Sequence, residues 1–213
     1  LRRTEDVFLA EGVKMFLEAP RKQLQEVYVS ESFLEKCSCR EHLEEVGYEV
    51  VSDSVFSKIS DTCTPQGVLC VLKQFHYNIE EMLRDKAPLF LLLENIQDPG
   101  NLGTMLRTGE GAGVSGIIMS RDTVDLYNPK VIRSTMGSIY RVPFYYADDF
   151  AAAVHQVQQA GVSVYAAHLR GKNSYACQDY TKGTAFLIGN EGNGLREETA
   201  ELADCYIRIP MEG

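Results

Sequence analysis

Much of what would mark other kinds of protein is missing from this 213-residue chain. No stretch approaches the roughly 20 apolar residues that a membrane-spanning helix needs. The longest apolar run, Leu89–Leu93, has the length of a buried strand. No signal peptide precedes the first residues, Leu1-Arg2-Arg3-Thr4, and the lack of an initiator Met suggests numbering that begins inside a longer chain. There is no pair of CxxC elements among Cys37, Cys39, Cys63, Cys70, Cys177 and Cys205, which argues against a zinc site. Their scattered spacing does not resemble a small secreted scaffold, so reduced thiols in the cytoplasm are expected. His42, His76, His155 and His168 have no histidine partner at i+4, so a metal site finds no support. No GxxxxGK[ST] phosphate loop and no G-x-S-x-G elbow occur. Positive charge is also short. With 21 Lys and Arg against 30 Asp and Glu, the net charge is −9, which by itself argues against a nucleic-acid binder. A local basic face remains open to Arg2, Arg3, Lys14, Arg21 and Lys22 at one end and Arg107, Lys130, Arg133 and Arg141 further on. Each of them alone is as well explained by a solvated surface charge.

What is present divides in two. Residues 1–75 alternate short strand-like and helix-like stretches. Val27-Tyr28-Val29 and Tyr48-Glu49-Val50-Val51 read as strands, residues 12–19 as a helix stopped by Pro20, and residues 67–72 as a fully buried strand. Residues 74–87 are polar and mixed in sign and read as a short helix or linker that joins two domains, with the linker set at 76–87. From Pro88 strands and helices alternate. Leu89–Leu93 is followed by a turn at Asp98-Pro99-Gly100 and a helix to about Gly111. Further strands are expected near 117–119, 142–145, 162–166, 186–188 and 206–209. That order predicts an α/β domain with a mainly parallel sheet. Gly111-Ala112-Gly113-Val114-Ser115-Gly116 matches GxGxxG, but it closes a helix and opens a strand. A dinucleotide fingerprint needs the reverse order, so this is a helix-ending turn.

Two stretches carry the chemistry. In Asn95-Ile96-Gln97-Asp98-Pro99-Gly100-Asn101 the chain leaves a buried strand and enters the helix that bears Arg107. In Gly189-Asn190-Glu191-Gly192-Asn193-Gly194 it leaves an apolar strand through a loop whose glycines let backbone approach a ligand. Either alone is an ordinary strand-to-helix connection. Together with the closing Ile209-Pro210-Met211-Glu212-Gly213, they resemble the three motifs of the SpoU/TrmH-type RNA methyltransferases of the SPOUT superfamily. The resemblance covers residues 88–213. Phe8-Leu9-Ala10-Glu11-Gly12 and Ser60-Asp61-Thr62-Cys63-Thr64-Pro65-Gln66-Gly67 look similar to the family's substrate-binding domain, which is like an RNA-binding ribosomal protein.

The resemblance implies a domain order of substrate binding (1–75), linker (76–87) and catalysis (88–213). It also implies a trefoil knot in the C-terminal segment, against the rarity of true knots. The implied reaction is methyl transfer from S-adenosylmethionine to a ribose 2′-hydroxyl of RNA, ribosomal RNA before tRNA, by a cytoplasmic homodimer without metal. It assigns Arg107, Asn101 and Glu191 to the active site, and Gly189, Ile209, Met211 and Ala167 to the cofactor. Arg107 would act as base or stabilise the oxyanion. A guanidinium pKa above about 12 makes stabilisation the easier role. The family's third motif continues past the glycine with a Ser-Leu-Asn segment and a final helix, so the stretch ending at Gly213 is expected to lack one wall of the cofactor site. Two rivals remain: a SPOUT enzyme that methylates a tRNA base, and a non-catalytic RNA-binding protein of the same fold.

Overall fold

The computed structural model describes residues 5–210. The chain divides into two compact units, one made of Leu1–Phe75 with Leu126–Tyr140, the other of His76–Asp125 with Arg141–Gly213.

The first unit is built on a four-stranded sheet of order β1-β4-β2-β3. Its strands are β1 (Val7–Glu11), β2 (Leu24–Ser30), β3 (Glu49–Val51) and β4 (Val68–Lys73). β4 lies between β1 and β2, antiparallel to both, so both its edges are paired. This is why residues 67–72 read as almost purely apolar: Val68, Leu69, Cys70 and Leu72 are all buried. Among the described residues, short helices α1 (Val13–Glu18), α2 (Glu31–Lys36), α3 (Arg40–Val46) and α4 (Asp53–Ile59) decorate the sheet. The last three were not anticipated, being only two turns or less. Serine caps start two of them: Ser30 Oγ accepts from the Phe33 N–H, and Ser52 Oγ from the Val55 N–H.

α7 (Pro129–Thr135) and the 3-10 turn Ser138–Tyr140 belong to this first unit. The sequence placed them in the span 88–213. Aromatic contacts and hydrogen bonds hold them here. The Tyr127 ring lies 4.8 Å from that of Phe8, the Tyr140 hydroxyl donates to the Met15 carbonyl at 3.1 Å, and Arg133 pairs with Asp61 at 2.9 Å.

The second unit is a seven-stranded sheet of order β7-β6-β5-β10-β8-β11-β9. Its strands are β5 (Leu89–Leu93), β6 (Gly116–Ser120), β7 (Phe144–Ala147), β8 (Ser163–Ala167), β9 (Asn173–Ser174), β10 (Thr184–Ile188) and β11 (Cys205–Arg208). Every pairing is parallel. The helices are α5 (Ile79–Met82), α6 (Pro99–Ala112), α8 (Phe150–Gln159) and α9 (Glu197–Ala200). The stretch 76–87, expected as a short helix or linker, holds the short helix α5 and also supplies core. Ile79 and Met82 are buried against the cluster of Phe90, Leu92, Ile118, Val154 and Val164.

Asp98-Pro99-Gly100, expected as a turn, is the start of α6. Asp98 Oδ1 accepts the Asn101 N–H at 2.8 Å, and Pro99 occupies the first helical position, where its missing N–H costs nothing. The GxGxxG stretch is the helix-ending turn expected of it. Gly113 closes α6 in the left-handed conformation (φ 74°), and Gly116 begins β6.

One topological feature matters for the site. β11, the last strand, lies between β8 and β9, so the connection 168–172 must cross it. The crossing is close: a Cβ on Gly171 would stand 2.7 Å from the Ile207 carbonyl carbon. Such a crossing is what a C-terminal knot requires; residues 211–213, on which the remainder of that expectation falls, lie outside the described residues.

Candidate active site

The carboxyl ends of β5, β8, β10 and β11 carry the residues that the sequence singled out. In open parallel sheets this is the edge where ligands bind. After β5 the chain runs through Asn95, which adopts a left-handed conformation (φ 54°), into α6. After β10 it enters the loop 189–194.

That loop folds on itself. The Asn190 N–H donates to the Gly194 carbonyl at 3.0 Å, and the Gly194 N–H to the Asn190 carbonyl at 2.9 Å. Asn190 Oδ1 accepts the N–H groups of Gly192 and Asn193, both at 3.0 Å. Gly189 is required for this closure: a Cβ there would stand 2.2 Å from the Gly194 carbonyl carbon and the Leu195 nitrogen. The close approach foreseen for this glycine is thus first of all to the chain's own backbone.

The two motifs are knitted together through Glu191. Its Oε1 accepts the Asp98 N–H at 3.0 Å and Asn101 Nδ2 at 3.3 Å, and its Oε2 accepts the Gln97 N–H at 3.1 Å. Asn190 Nδ2 adds a bond to the Asn95 carbonyl at 2.8 Å. Partial desolvation pushes the Glu191 carboxyl up, but the N–H donors of its own backbone, Asp98, Gln97 and Asn101 outweigh it and hold the group below its ordinary 4.5. Glu191 is therefore an ionised acceptor whose oxygens are already engaged. Asn101 Oδ1 keeps no partner among the described residues.

Arg107 does not join this knot. It lies on the exposed part of α6, six residues and about 9 Å along the axis from Asn101. It has no hydrogen bond or ion pair among the described residues. Other cations of the expected basic face are paired internally: Arg21 with Glu45, Arg133 with Asp61, Arg141 with Glu110 and Lys14 with Glu18. Lys22 and Lys130, like Arg107, have no ion pair among the described residues.

Ala167 ends β8 and stands opposite Ile207 of β11. Beyond that register, Leu169 is 83% exposed and Ile209 is 56% exposed. The His168 ring lies 5.0 Å from that of Tyr206. Exposed apolar side chains and half-buried rings at this sheet edge suit a ligand with a flat ring and a polar tail. Met211 lies outside the described residues. Among the described residues no cluster of His, Cys, Asp and Glu could hold a metal ion, and no helix is long and apolar enough to cross a membrane.

Sequence reasoning missed Glu94, Asp122 and Arg196, which lie directly behind the two motifs. The available signal was Glu94 itself, an acidic residue directly after a wholly apolar strand. It is 1% exposed.

Residues 88–213 match the model of the SpoU rRNA Methylase family, and residues 1–70 that of an MRM3-like substrate binding domain. The chain is 32% identical over 164 residues to the 23S rRNA (guanosine(2553)-2′-O)-methyltransferase RlmP of Bacillus subtilis (strain 168), covering 77% of this chain and 64% of that protein. It thus spans less than two thirds of that relative's length. It is 28% identical over 201 residues to the 23S rRNA (guanosine-2′-O-)-methyltransferase RlmB of Neisseria meningitidis serogroup B, covering 90% of this chain and 80% of the other. Among solved structures, the AdoMet-bound rRNA methyltransferase from Sinorhizobium meliloti superposes with a TM-score of 0.81 at 30% identity, over 100% of this chain and 81% of that one.

Proposed function

The chain belongs to the SpoU rRNA methylase family, and from that premise we propose that it methylates a ribose 2′-hydroxyl of ribosomal RNA with S-adenosylmethionine as donor. One observation carries the reading: Glu191 and Asn101 bind the two motifs into one surface, while Arg107 on the same helix keeps its guanidinium unspent.

S-adenosylmethionine supplies, when bound, a methyl group on a sulfonium that a nucleophilic oxygen can attack. The residues that would hold it are Gly189 and its loop, Ala167, Ile209 and Met211. The exposed apolar side chains Leu169 and Ile209 fit its aromatic ring. Arg107 faces the ribose in this reading. Its fixed positive charge and planar donors stabilise the negative charge that develops on the 2′-oxygen, worth most where water is excluded. Asn101 offers its free Oδ1 to the ribose. Glu191 does not take a proton; its carboxylate is spent on backbone N–H groups and holds the loop in place.

Ribosomal RNA is favoured over tRNA because both named relatives act on 23S rRNA and because the substrate-binding model matches residues 1–70. The boundary between substrate-binding and catalytic domains, action as a homodimer through the catalytic domains, and a cytoplasmic location form part of the same proposal. The test is transfer of labelled methyl from S-adenosylmethionine to ribosomal RNA of a strain lacking the gene, using the natural full-length protein. Transfer supports the reading. RNA binding without transfer or cofactor affinity would favour a non-catalytic binder.

A further inference from the structure

Glu94 follows β5 directly and is a carboxylate withdrawn almost wholly from water. Such a group is tolerated only when its oxygens are matched by donors. Here they are. Oε2 accepts the Arg196 backbone N–H at 2.9 Å, and Oε1 accepts the Thr199 hydroxyl at 2.5 Å and Arg196 Nη1 at 3.3 Å. The guanidinium does not stop there. Its other terminal nitrogen pairs with Asp122, just past β6.

Asp122 closes a ring back to the first motif. Its Oδ1 accepts the Ser120 hydroxyl at 2.5 Å, and Ser120 Oγ in turn accepts the Asn95 N–H at 2.9 Å. The Asp122 carbonyl accepts Gln97 Nε2 at 2.6 Å. Glu94, Asn95 and Gln97 from the end of β5, Ser120 and Asp122 from the end of β6, and Arg196 from the exit of the 189–194 loop thus form one continuous polar chain. Arg196 is two residues past Gly194, whose bonds with Asn190 close that loop.

We infer that Glu94 and Arg196 are positioning residues: the buried carboxylate and the guanidinium that it shares with Asp122 fix the 189–194 loop against the 95–101 turn, and so set Glu191 and Asn101 for the reaction. The inference rests on the active-site reading proposed above. Its geometric basis is the fork of Arg196. A guanidinium can bridge two carboxylates on two strand ends at once, and a lysine ammonium, though equally charged, cannot reproduce that planar bridge. The competing role is plain neutralisation of a buried charge, which either cation would perform.

The experiment compares Arg196→Lys and the uncharged pair Glu94→Gln/Arg196→Met with the wild type, all made in the natural full-length protein. The Arg196 side chain is 48% exposed, so Arg196→Lys leaves the core unchanged. The first readout is amide hydrogen exchange at Gln97, Asp98, Asn190 and Gly194, with β5 and β6 core amides as the internal reference. The second is S-adenosylmethionine affinity by calorimetry. Positioning predicts that in both variants these four amides exchange at least about tenfold faster while the reference amides hold. It also predicts that affinity falls by about tenfold, or roughly 1.4 kcal/mol. Wild-type exchange and affinity in Arg196→Lys, or full restoration in the uncharged pair, would overturn it and leave neutralisation as the role. If the natural full-length wild-type protein gives no heat with S-adenosylmethionine, the functional reading fails, and the exchange rates still decide whether the pair holds the loop.

Discussion

At the scale of single residues, Arg107 and Glu191 differ in a way that their chemistry alone would not reveal. Both are charged residues in motifs, but Glu191 has its oxygens filled by Gln97, Asp98 and Asn101, whereas Arg107 has no partner among the described residues. Arg107→Ala should therefore leave stability within about 0.5 kcal/mol, the usual range for a surface change. Turnover should fall by about a thousandfold, roughly 4 kcal/mol of transition-state stabilisation, with cofactor affinity little changed. Near-wild-type turnover in a folded variant would remove Arg107 from the mechanism. For Glu191 the sign follows from its depressed pKa. The ionised form makes the loop bonds, so their contribution is complete above the ordinary 4.5 and is lost as pH falls through the lower folded value. The amide resonances of Gln97 and Asp98 should titrate together with a midpoint below 4.5, and Glu191→Gln should abolish that step; a midpoint at or above 4.5 would contradict the bonding described. Asn101, Arg107 and Glu191 stood out as candidates in the sequence only because two motifs occurred together. Which of them was spent and which was free was not legible, since that depends on contacts across more than 90 residues of chain.

At the scale of elements, strands were legible where their burial was two-sided. β5 has the bounds expected of it, and β4 shifted by a single residue, because a run such as Leu89–Leu93 has few other fates. The short helices α2, α3 and α4 escaped because two turns give too little periodicity to count. β9 escaped too, being two residues long and defined only by its pairing with β11. The loop 189–194 was recognised by its glycines, but the reason for Gly189 is local. Gly189→Ala would drive a methyl into the Gly194–Leu195 backbone, which cannot yield as a flexible side chain would. We expect a loss of about 1–3 kcal/mol, as for an overpacked interior, visible as a lower Tm, together with weakened S-adenosylmethionine binding. Unchanged melting and binding would mean that the loop has room that its geometry denies.

At the scale of the whole molecule, the order of the two sequence segments was readable, but the assignment of Leu126–Tyr140 to the first unit was not. Nothing in Asn128-Pro129 or the helix that follows distinguishes a partner sheet far upstream from the one next door. The stretch expected as a short helix or linker also proved to contain core residues at Ile79 and Met82, and only its end, residues 84–87, is continuously exposed. Trypsin should accordingly cut first after Arg84 or Lys86. Primary cleavage within residues 89–119 would count against a domain boundary here.

The most direct test of the account is the identity of the methylated product. Ribosomal RNA from a strain lacking the gene is incubated with the natural full-length protein and labelled S-adenosylmethionine, digested to nucleosides and separated by mass. The account predicts that the label resides in a 2′-O-methylated nucleoside and is lost with Arg107→Ala. Label in a base-methylated nucleoside, or in tRNA and not in ribosomal RNA, would contradict it.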